Sequence, residues 1–298
     1  MAVPGLFVGL ATLDVVHHLD ELPRRNEKVT AAAQFLAAGG PAANAAVTFA
    51  ALGGAATLVT VLGGHAAVAL ISADLADHSV AVLDADPQRS QPPAVSAVRV
   101  APDTGERSVS SADSAGPEPT APDLTAVAET AEVVLLDGHW PALARAAANA
   151  ARLGGVPVVL DAGRPRPAFD ELIPQSDLVV ASGDYLRDRP GLVDEAVRDG
   201  AAAVVTTHGD RPVRWATVAG RGEVDVPPLH AVDTHGAGDA FHGAVAYAVA
   251  RLGWPTAVAV LPDILTFAVE VAAVRVTQAG PRGWLTDPRL AELAARWN

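Results

Sequence analysis

The stretch that decides the fold spans residues 232–243 and reads VDTHGAGDAFHG. Two of its glycines, Gly236 and Gly238, lead directly into an apolar segment of helical character. Backbone N–H groups that glycine leaves uncovered at a helix start form a concave positive site for phosphate oxygens. Asp239 would repel phosphate there, unless its carboxylate removes a proton from a hydroxyl that attacks the phosphate. The same residues are also consistent with two loop glycines followed by an ordinary acid in the first turn of a helix. The catalytic and the structural interpretation of Asp239 therefore both stay open.

Near the N-terminus, residues 38–46 read AGGPAANAA and predict a second helix that opens with glycine. Gly39 and Gly40 let a ligand approach the backbone closely, and the amide of Asn44 can both donate to and accept from a polyol. Asn44 can equally serve only as a helix cap. Asp14 is predicted at the C-terminal end of the first strand, where open α/β sheets place ligand groups, with a solvated loop acid as the alternative.

Apolar runs rich in valine and leucine recur between helical stretches, at residues 6–10, 57–62, 133–137, 156–161, 177–181 and 203–207. Strands that do not alternate with polar residues are typical of a parallel sheet covered on both faces. Their order with the helices predicts an α/β fold with a Rossmann-like, doubly wound, mostly parallel sheet.

Two stretches of the chain do not fit that pattern, at about residues 15–37 and 92–113. Within the second, residues 95–100 alternate between apolar and polar side chains, as a half-buried strand does. We therefore predict a small antiparallel β lid built from these two insertions. The whole chain, residues 1–298, is expected to form one domain, because no segment is long enough for an independent linker.

The composition excludes several classes of protein. A formal net charge of −13 disfavours nucleic acid and membrane surfaces as partners. There is no cysteine, which removes disulfides, thiolate nucleophiles and cysteine-ligated metals. Lys28 is the only lysine and Val29 follows it, so the Gly-Lys-Ser/Thr phosphate loop is absent. No basic region precedes the apolar start of the chain, so we predict a buried strand there, and cytoplasm is the expected location.

The two glycine-rich helix starts together resemble the ribokinase-like (PfkB) family of carbohydrate kinases. The later signature, Asp-Thr-x-Gly-Ala-Gly-Asp, is complete, and the resemblance covers essentially the whole chain. Residues 9–14 (GLATLD) and 40–43 (GPAA) look most like the ketohexokinase and sulfofructose kinase branch. The resemblance implies ATP-dependent transfer of the γ-phosphoryl group to a hydroxyl of a small sugar, with Mg²⁺ as cofactor and K⁺ in some members.

The resemblance also implies a role for individual residues. Asp239 would be the catalytic base. The anion hole would consist of Gly236, Ala237 and Gly238. The sugar-binding groups would include Asp14, Gly39, Gly40 and Asn44. The nucleotide would lie near Thr207, Gly209, Asp210 and Thr234, and Asp233 matches a position that supplies a monovalent-cation ligand in some members.

One departure from the family concerns magnesium. Residues 182–185 read SGDY where many members carry Asn-x-x-Glu, a motif that helps to organise Mg²⁺ and phosphates. The carboxylate that orients Mg²⁺ is therefore open among Asp184, Asp161 and Asp137, which follow predicted strands. Mg²⁺ usually keeps several waters and arrives with the nucleotide, so a dedicated protein cage is not required.

A second departure concerns the sugar. Lys28 matches a position that binds the anionic tail of the substrate in sulfofructose kinase-like members, but it can also be a solvated surface residue. Ser111 and His139 occupy the neighbouring positions, where such members place an amide and an arginine. Because a lone ammonium is a weak anion clamp, we expect a neutral ketose or pentose.

Other activities stay open beside that expectation. A kinase for a sulfonated or phosphorylated sugar and a nucleoside kinase would use the same scaffold, and a sugar- or nucleotide-binding regulator without catalysis is the non-enzyme alternative. His235 and His242 flank the helix start and are expected near substrate or nucleotide, without a metal role. Because the exposed lid hairpin leaves strand edges that pairing would cover, we also expect a homodimer through the lid.

Overall fold

The computed structural model describes residues 2–20, 23–101, 105–113 and 116–297. Its strands are β1 (Pro4–Val8), β2 (Thr12–His18), β3 (Ala33–Gly39), β4 (Ala55–Thr60), β5 (Val80–Asp84), β6 (Ala94–Ala101), β7 (Glu106–Ser111), β8 (Val134–Leu136), β9 (Val158–Ala162), β10 (Leu178–Ser182), β11 (Ala203–His208), β12 (Arg211–Thr217) and β13 (Arg221–Val224). Its α-helices are α1 (Pro41–Ala51), α2 (Val68–Asp77), α3 (Thr125–Glu129), α4 (Pro141–Gly154), α5 (Phe169–Leu172), α6 (Gly183–Asp188), α7 (Leu192–Arg198), α8 (Ala237–Leu252), α9 (Thr256–Ala259), α10 (Leu261–Val276) and α11 (Pro288–Ala295). Short 3₁₀ turns follow α5 and α10, at Ile173–Gln175 and Gly283–Thr286.

The larger sheet contains nine of the described strands, in the order β13-β12-β11-β10-β9-β8-β1-β4-β5. Its strands from β11 to β5 run parallel, and β12 and β13 extend the β11 edge in antiparallel fashion. The six predicted strand runs correspond to β1, β4, β8, β9, β10 and β11. The prediction of a mostly parallel α/β sheet is therefore confirmed.

The core lies on both faces of this sheet, because successive side chains of a strand point in opposite directions. Phe7 of β1 packs with α1, α8 and α10 on one face. Its neighbours Leu6 and Val8 pack with α4, α5 and α7 on the other. Helices α1 and α8 are rich in alanine and approach closely: a Cβ added at Gly243 would lie 2.5 Å from the carbonyl oxygen of Ala45.

The smaller sheet has the order β3-β2-β6-β7 among the described residues. β2 pairs antiparallel with β3 and parallel with β6, and β6 pairs antiparallel with β7. A lid with antiparallel pairing is confirmed, and it adds one parallel pairing between the two insertions. The predicted bounds of the lid and the one-domain organisation stay predictions.

The N-terminal apolar segment forms two strands rather than one. β1 ends at Val8, and the amide of Leu10 then donates to Asp137 Oδ2 over 2.9 Å, which fixes a turn out of the sheet. β2 begins at Thr12 and carries Asp14 into the lid. The prediction that Asp14 ends the first strand is therefore wrong, because the turn at residues 9–11 separates the two strands.

Across the described ranges, no helix combines the length and the apolar character that a membrane span needs. The apolar stretch of residues 254–276 instead forms α9 and α10. α10 begins at Leu261 and carries Pro262 in its first turn, where proline costs no hydrogen bond.

Candidate active site

The order of the strands places a crevice between β1 and β8. After β1 the chain adds β4 and β5 on one side, and later adds β8 to β11 on the other, so the strand order reverses at this point. Open α/β sheets bind ligands in the crevice outside the carboxyl ends of the strands at such a reversal. A cleft of about 1170 Å³ opens there and continues under the lid.

Asp137, the residue after β8, ties the floor of this cleft together. Its Oδ2 accepts the backbone N–H of Leu10 over 2.9 Å and that of Ala42 over 3.1 Å. Its Oδ1 accepts the backbone N–H of His139 over 3.0 Å. Burial raises the pKa of Asp137, but the charge of His139 and these hydrogen bonds outweigh it and leave the pKa below its usual value. Both oxygens are thus committed to structure.

The start of α8 presents bare backbone to the cleft. Gly236 is the N-cap residue, with φ of 75°, a left-handed conformation that favours glycine. A Cβ added at Gly238 would meet no atom within 4 Å, so the helix start is open to the cleft at this residue. The N–H of the preceding Ala237 donates to the carbonyl oxygen of Thr234 over 3.3 Å. Asp239 lies in that turn, and its Oδ2 accepts a hydrogen bond from Asn44 Nδ2 over 2.8 Å instead of capping its own helix. The first-turn acid is therefore aimed across the cleft.

A chain of polar side chains holds Asn44 in this orientation. Gly40, not Asn44, is the N-cap of α1. Asn44 Oδ1 accepts from Arg282 Nη1 over 3.1 Å, and Arg282 Nη2 in turn donates to Asp74 Oδ2 over 2.9 Å. Because the amide oxygen is engaged by a guanidinium, the amide nitrogen must face Asp239. The alternative interpretation, in which Asn44 only caps its helix, is therefore wrong.

Asp14, in strand β2 of the lid, is a second carboxylate that lines the cleft. Its side chain is buried and accepts from Thr12 Oγ1 over 2.5 Å and pairs with His235 Nε2 over 2.8 Å. Burial raises the pKa of Asp14, but the hydrogen bonds from His235, Thr12 and Ser96 and the charge of His235 outweigh it and lower the pKa. A Cβ added at Gly39 would lie 2.1 Å from the carboxyl carbon of Asp14, so glycine is required where β3 passes it.

Asp161, at the end of β9, is the buried carboxylate of the cleft whose charge is least compensated. Burial raises its pKa to about 6, an effect that His242 opposes and the nearby Asp239 and Asp137 reinforce. His242 Nε2 lies 3.4 Å from Asp161 Oδ1. Asp184, by contrast, is an exposed residue of α6 that pairs with Arg187. All three carboxylates considered for Mg²⁺ line the cleft. Asp161 is the buried one whose oxygens accept no backbone N–H, whereas Asp137 accepts three of them and Asp184 is paired with Arg187.

The segment that replaces Asn-x-x-Glu has a structural use. Ser182 Oγ accepts the backbone N–H of Tyr185 over 3.1 Å and so caps α6. Its hydroxyl also donates to the carbonyl oxygen of Gly163. Across the described ranges, no cluster of three metal-ligating side chains is present.

The structure brings most of the predicted site residues together. Those that line the cleft are Asp14, Gly40, Asn44, Ser111, His139, Thr207, Thr234, Gly236, Gly238 and Asp239. Gly39 and Ala237 lie directly beside this lining, and Asp233 is fully buried behind it. Gly209 and Asp210 form the exposed turn between β11 and β12. Lys28 lies elsewhere, in a separate pocket on the lid with His17 and Arg99.

Three arginines that the sequence analysis did not single out also line the cleft. Arg107, on the lid hairpin, donates to Thr234 Oγ1 over 2.9 Å, and Thr234 Oγ1 donates to the carbonyl oxygen of Gly105 over 2.7 Å. These bonds join the lid to the loop before α8. Arg166 contacts His139 Nε2 and lies 3.4 Å from Asp113, with Arg164 beside it. The sequence Arg-Pro-Arg at residues 164–166 could have indicated two of these arginines, because it follows the carboxyl end of β9, where α/β sheets bind ligands.

Comparisons with known proteins agree with this geometry. A family model described as pfkB family carbohydrate kinase matches residues 6–287. A ribokinase from Arabidopsis thaliana is 28% identical, over 83% of this chain and 71% of that protein. Among solved structures, a putative ribokinase from Agrobacterium tumefaciens is 24% identical with a TM-score of 0.84, covering 100% of this chain and 99% of that one. Ribokinase from Arabidopsis thaliana complexed with ribose and ATP is 25% identical with a TM-score of 0.76, covering 99% of both chains.

The family match extends over nearly the whole chain and includes both glycine-rich helix starts. The likeness to the ketohexokinase branch stays a prediction, since ribokinases are prominent among these relatives. The chain belongs to the pfkB family of carbohydrate kinases and is a phosphotransferase that acts on a sugar hydroxyl.

Proposed function

We propose that this protein phosphorylates a small neutral sugar, a ketose or a pentose, with ATP as donor and Asp239 as general base. The observation that carries the proposal is the meeting of three features in one cleft. These are the Asp239 carboxylate held by Asn44, the bare start of α8, and the Asp14 carboxylate held by His235. The ribose and ATP bound by the Arabidopsis relative support sugar and ATP as ligands of the same cleft.

The reaction follows from this arrangement. Asp14 accepts hydrogen bonds from sugar hydroxyls, and the chain from Arg282 through Asn44 keeps the Asp239 carboxylate facing the acceptor. Asp239 takes the proton as the hydroxyl oxygen bonds to the γ-phosphorus and the bond to ADP breaks. Backbone N–H groups from Gly236 to Gly238 stabilise the charge that develops on the phosphoryl oxygens. Closure of the lid would exclude water that competes with the sugar.

The nucleotide and its metal are proposed for the same cleft, near Thr207 and Thr234. Both threonines line the cleft, and Gly209 and Asp210 form the turn after β11. Asp161 would help to hold Mg²⁺, which neutralises phosphate charge when bound with ATP. This assignment rests on its buried position in the cleft and on oxygens that accept no backbone N–H group, with His242 as the neighbouring side chain.

The lid favours self-association. Leu36 is 51% exposed and Val95 is 40% exposed. Leu36 lies opposite Val15, and Val15 lies opposite Ala97, which is two residues from Val95. Leu36 and Val95 therefore share the outer face of the lid, and we propose that this face forms a homodimer in the cytoplasm. Light scattering on the wild type at micromolar concentration tests the proposal, and a monomer mass contradicts it.

The second candidate function is a kinase for an anionic sugar, and one observation favours it. Arg166 contacts His139, at the position where sulfofructose kinase-like members place an arginine. A guanidinium can bind a sulfonate or phosphate through two parallel hydrogen bonds. Against this candidate, Lys28 lies outside the cleft and Arg166 is already paired with Asp113.

ADP release with Mg-ATP tests the function over a panel of ribose, fructose, other neutral ketoses, fructose 6-phosphate, sulfofructose and adenosine. With a neutral sugar, we expect the wild type to release ADP and the Asp239→Asn variant to release none above background. Asp263→Asn is the matched control, because Asp263 is also a first-turn aspartate, in α10, and is remote from the cleft.

Each arm of the panel separates one alternative. A signal only with sulfofructose or fructose 6-phosphate would favour the anionic substrate, and one only with adenosine a nucleoside kinase. Binding of ATP and sugar without turnover by the wild type would support a regulator. An Asp239→Asn variant as active as the wild type would overturn the assignment of the base.

A further inference from the structure

A buried ion pair lies directly behind the anion hole. Arg275, in the last turn of α10, and Asp233, in the loop before α8, are 2% and 0% exposed. Arg275 Nη2 lies 3.2 Å from Asp233 Oδ2. A guanidinium so far from water is costly unless its donors are satisfied.

The two N–H donors of Arg275 Nη1 are directed at backbone oxygens. Nη1 donates to the carbonyl oxygen of Asp233 over 3.3 Å and to that of Gln278 over 3.3 Å. One carboxylate oxygen and two carbonyl oxygens thus converge on a single cationic group. Carboxylate and carbonyl oxygens are also the donors that hard metal cations take in proteins.

The same loop builds the anion hole. The backbone N–H groups of Val232 and Asp233 both donate to the carbonyl oxygen of Val276, over 2.8 and 3.2 Å. Asp233 Oδ1 accepts the N–H of His235 over 2.9 Å. Arg275 Nε lies 3.8 Å from where a Cβ of Gly236 would stand. The guanidinium therefore supports the backbone that turns into α8 from below.

The family resemblance places a monovalent-cation ligand at the position of Asp233. The residues of this chain do not fit such an ion, because the guanidinium already occupies the oxygens that would bind it and a second positive charge there would be repelled. We propose that Arg275 is a built-in cation: its guanidinium takes the place of a monovalent ion under the anion-hole loop. Phosphoryl transfer by this protein then needs no K⁺.

Arg275 is a positioning residue in this proposal, which rests on the proposed kinase function. Its single positive charge balances Asp233 and adds positive potential behind the N–H groups from Gly236 to Gly238. An alkali ion could supply the same charge to the same oxygens, but only after the guanidinium is removed. Loss of Arg275 is therefore expected to create a requirement for K⁺ that the wild type lacks.

The experiment compares the wild type with Arg275→Ala in K⁺ and in tetramethylammonium at equal ionic strength. For the wild type, kcat/KM should change by less than about twofold, because an ion that does not bind cannot alter the folded state. Arg275→Ala should lose at least about tenfold in kcat without K⁺, since a displaced anion-hole donor costs this much or more. K⁺ should restore a large part of that loss.

A second readout requires no sugar and no turnover. K⁺ should raise the thermal midpoint of Arg275→Ala by about 2 °C or more, since an ion that binds the folded state stabilises it by mass action. It should leave the midpoints of the wild type and of Arg289→Ala unchanged. Arg289 is a matched control because it pairs with Asp287 at the surface. This readout separates failure of the built-in cation from failure of the proposed kinase activity.

Several outcomes would overturn the proposal. One is activation of the wild type by K⁺ of fivefold or more. Another is a folded Arg275→Ala variant whose activity and midpoint do not respond to K⁺, which would make Arg275 a purely structural residue. If the single variant does not fold, Arg275→Met combined with Asp233→Asn removes both charges. This double variant should show reduced kcat that K⁺ does not restore, and full activity in it would show that no cation is needed there.

Discussion

Replacing Asp161 by asparagine should stabilise the protein at neutral pH. The side chain of Asp161 is buried at the end of β9, and in the native state its pKa is raised from 3.8 to about 6. Burial is the main cause, and the charges of Asp239 and Asp137 add to it. Above pH 6 the native protein therefore holds an ionised carboxylate that is less stable inside the cleft than in the unfolded chain. Asparagine has nearly the same shape and carries no charge.

The size and the sign of the effect follow from linkage. Between pH 3.8 and about 6 the native state binds more protons than the unfolded state, so stability falls as the pH rises through this window. The difference in pKa corresponds to about 3 kcal/mol at 1.36 kcal/mol per pH unit. We expect Asp161→Asn to raise the free energy of unfolding by about 2–3 kcal/mol at pH 7.5, with little effect near pH 4.

Urea denaturation followed by circular dichroism at pH 7.5 and at pH 4.5 checks this expectation. Asp137→Asn is the matched control, for which we expect the free energy of unfolding to change in the opposite direction. Asp137 accepts backbone N–H groups through both oxygens and has a lowered pKa, so its loss should destabilise the protein by about 2 kcal/mol or more at pH 7.5. A gain from Asp161→Asn that is equal at both pH values, or a loss at pH 7.5, would refute the argument from buried charge.

Three further substitutions probe the cleft and the helices that carry it. Asn44→Ala should lower kcat by about tenfold to a hundredfold, because Asp239, the proposed base, loses its 2.8 Å partner; Asn149→Ala, at an exposed position of α4, should leave kcat unchanged. Gly39→Ala should raise KM for the sugar by at least about tenfold and leave KM for ATP unchanged, since its Cβ would displace the Asp14 carboxylate. Gly243→Ala should destabilise the protein by about 1–3 kcal/mol in thermal unfolding, because its Cβ would lie 2.5 Å from a carbonyl oxygen of α1. A normal KM for Gly39→Ala or an unchanged midpoint for Gly243→Ala would contradict these contacts.

The central strands could be predicted because each is a continuous apolar run. β5, β12 and β13 were missed for a physical reason: β5 and β13 are the edge strands of the sheet and β12 is next to an edge, and each of the three has exposed residues. Their charged residues, such as Arg214 and Glu223, break the apolar pattern. The error over Asp14 has another origin, since the turn that separates β1 from β2 depends on Asp137, over 120 residues away.

The helix starts of the site could also be predicted, because glycine and the first-turn acid act locally. The side chains that orient them could not. Asn44 and its partner Arg282 are 238 residues apart, and Asn44 and Asp239 are 195 residues apart. Arg275 did carry a signal, as a lone arginine near the end of the apolar helix α10. A charge at such a position requires a buried partner, but the sequence does not say which one.

These long-range partners predict that stability and catalysis are linked in this fold. Three distant segments meet around Asp239: the start of α1, the start of α8, and the end of α10 with the loop after it. Each segment contacts the others through a charged side chain. The apolar packing on the faces of the sheet does not by itself fix how these segments are oriented. A buried guanidinium such as Arg275 stabilises little by itself, but removing one partner of its pair is costly. Substitutions at these contacts should therefore change kcat and the thermal midpoint together, whereas Asp161, a buried acid of the cleft that joins none of these segments and has His242 as its neighbour, should separate the two.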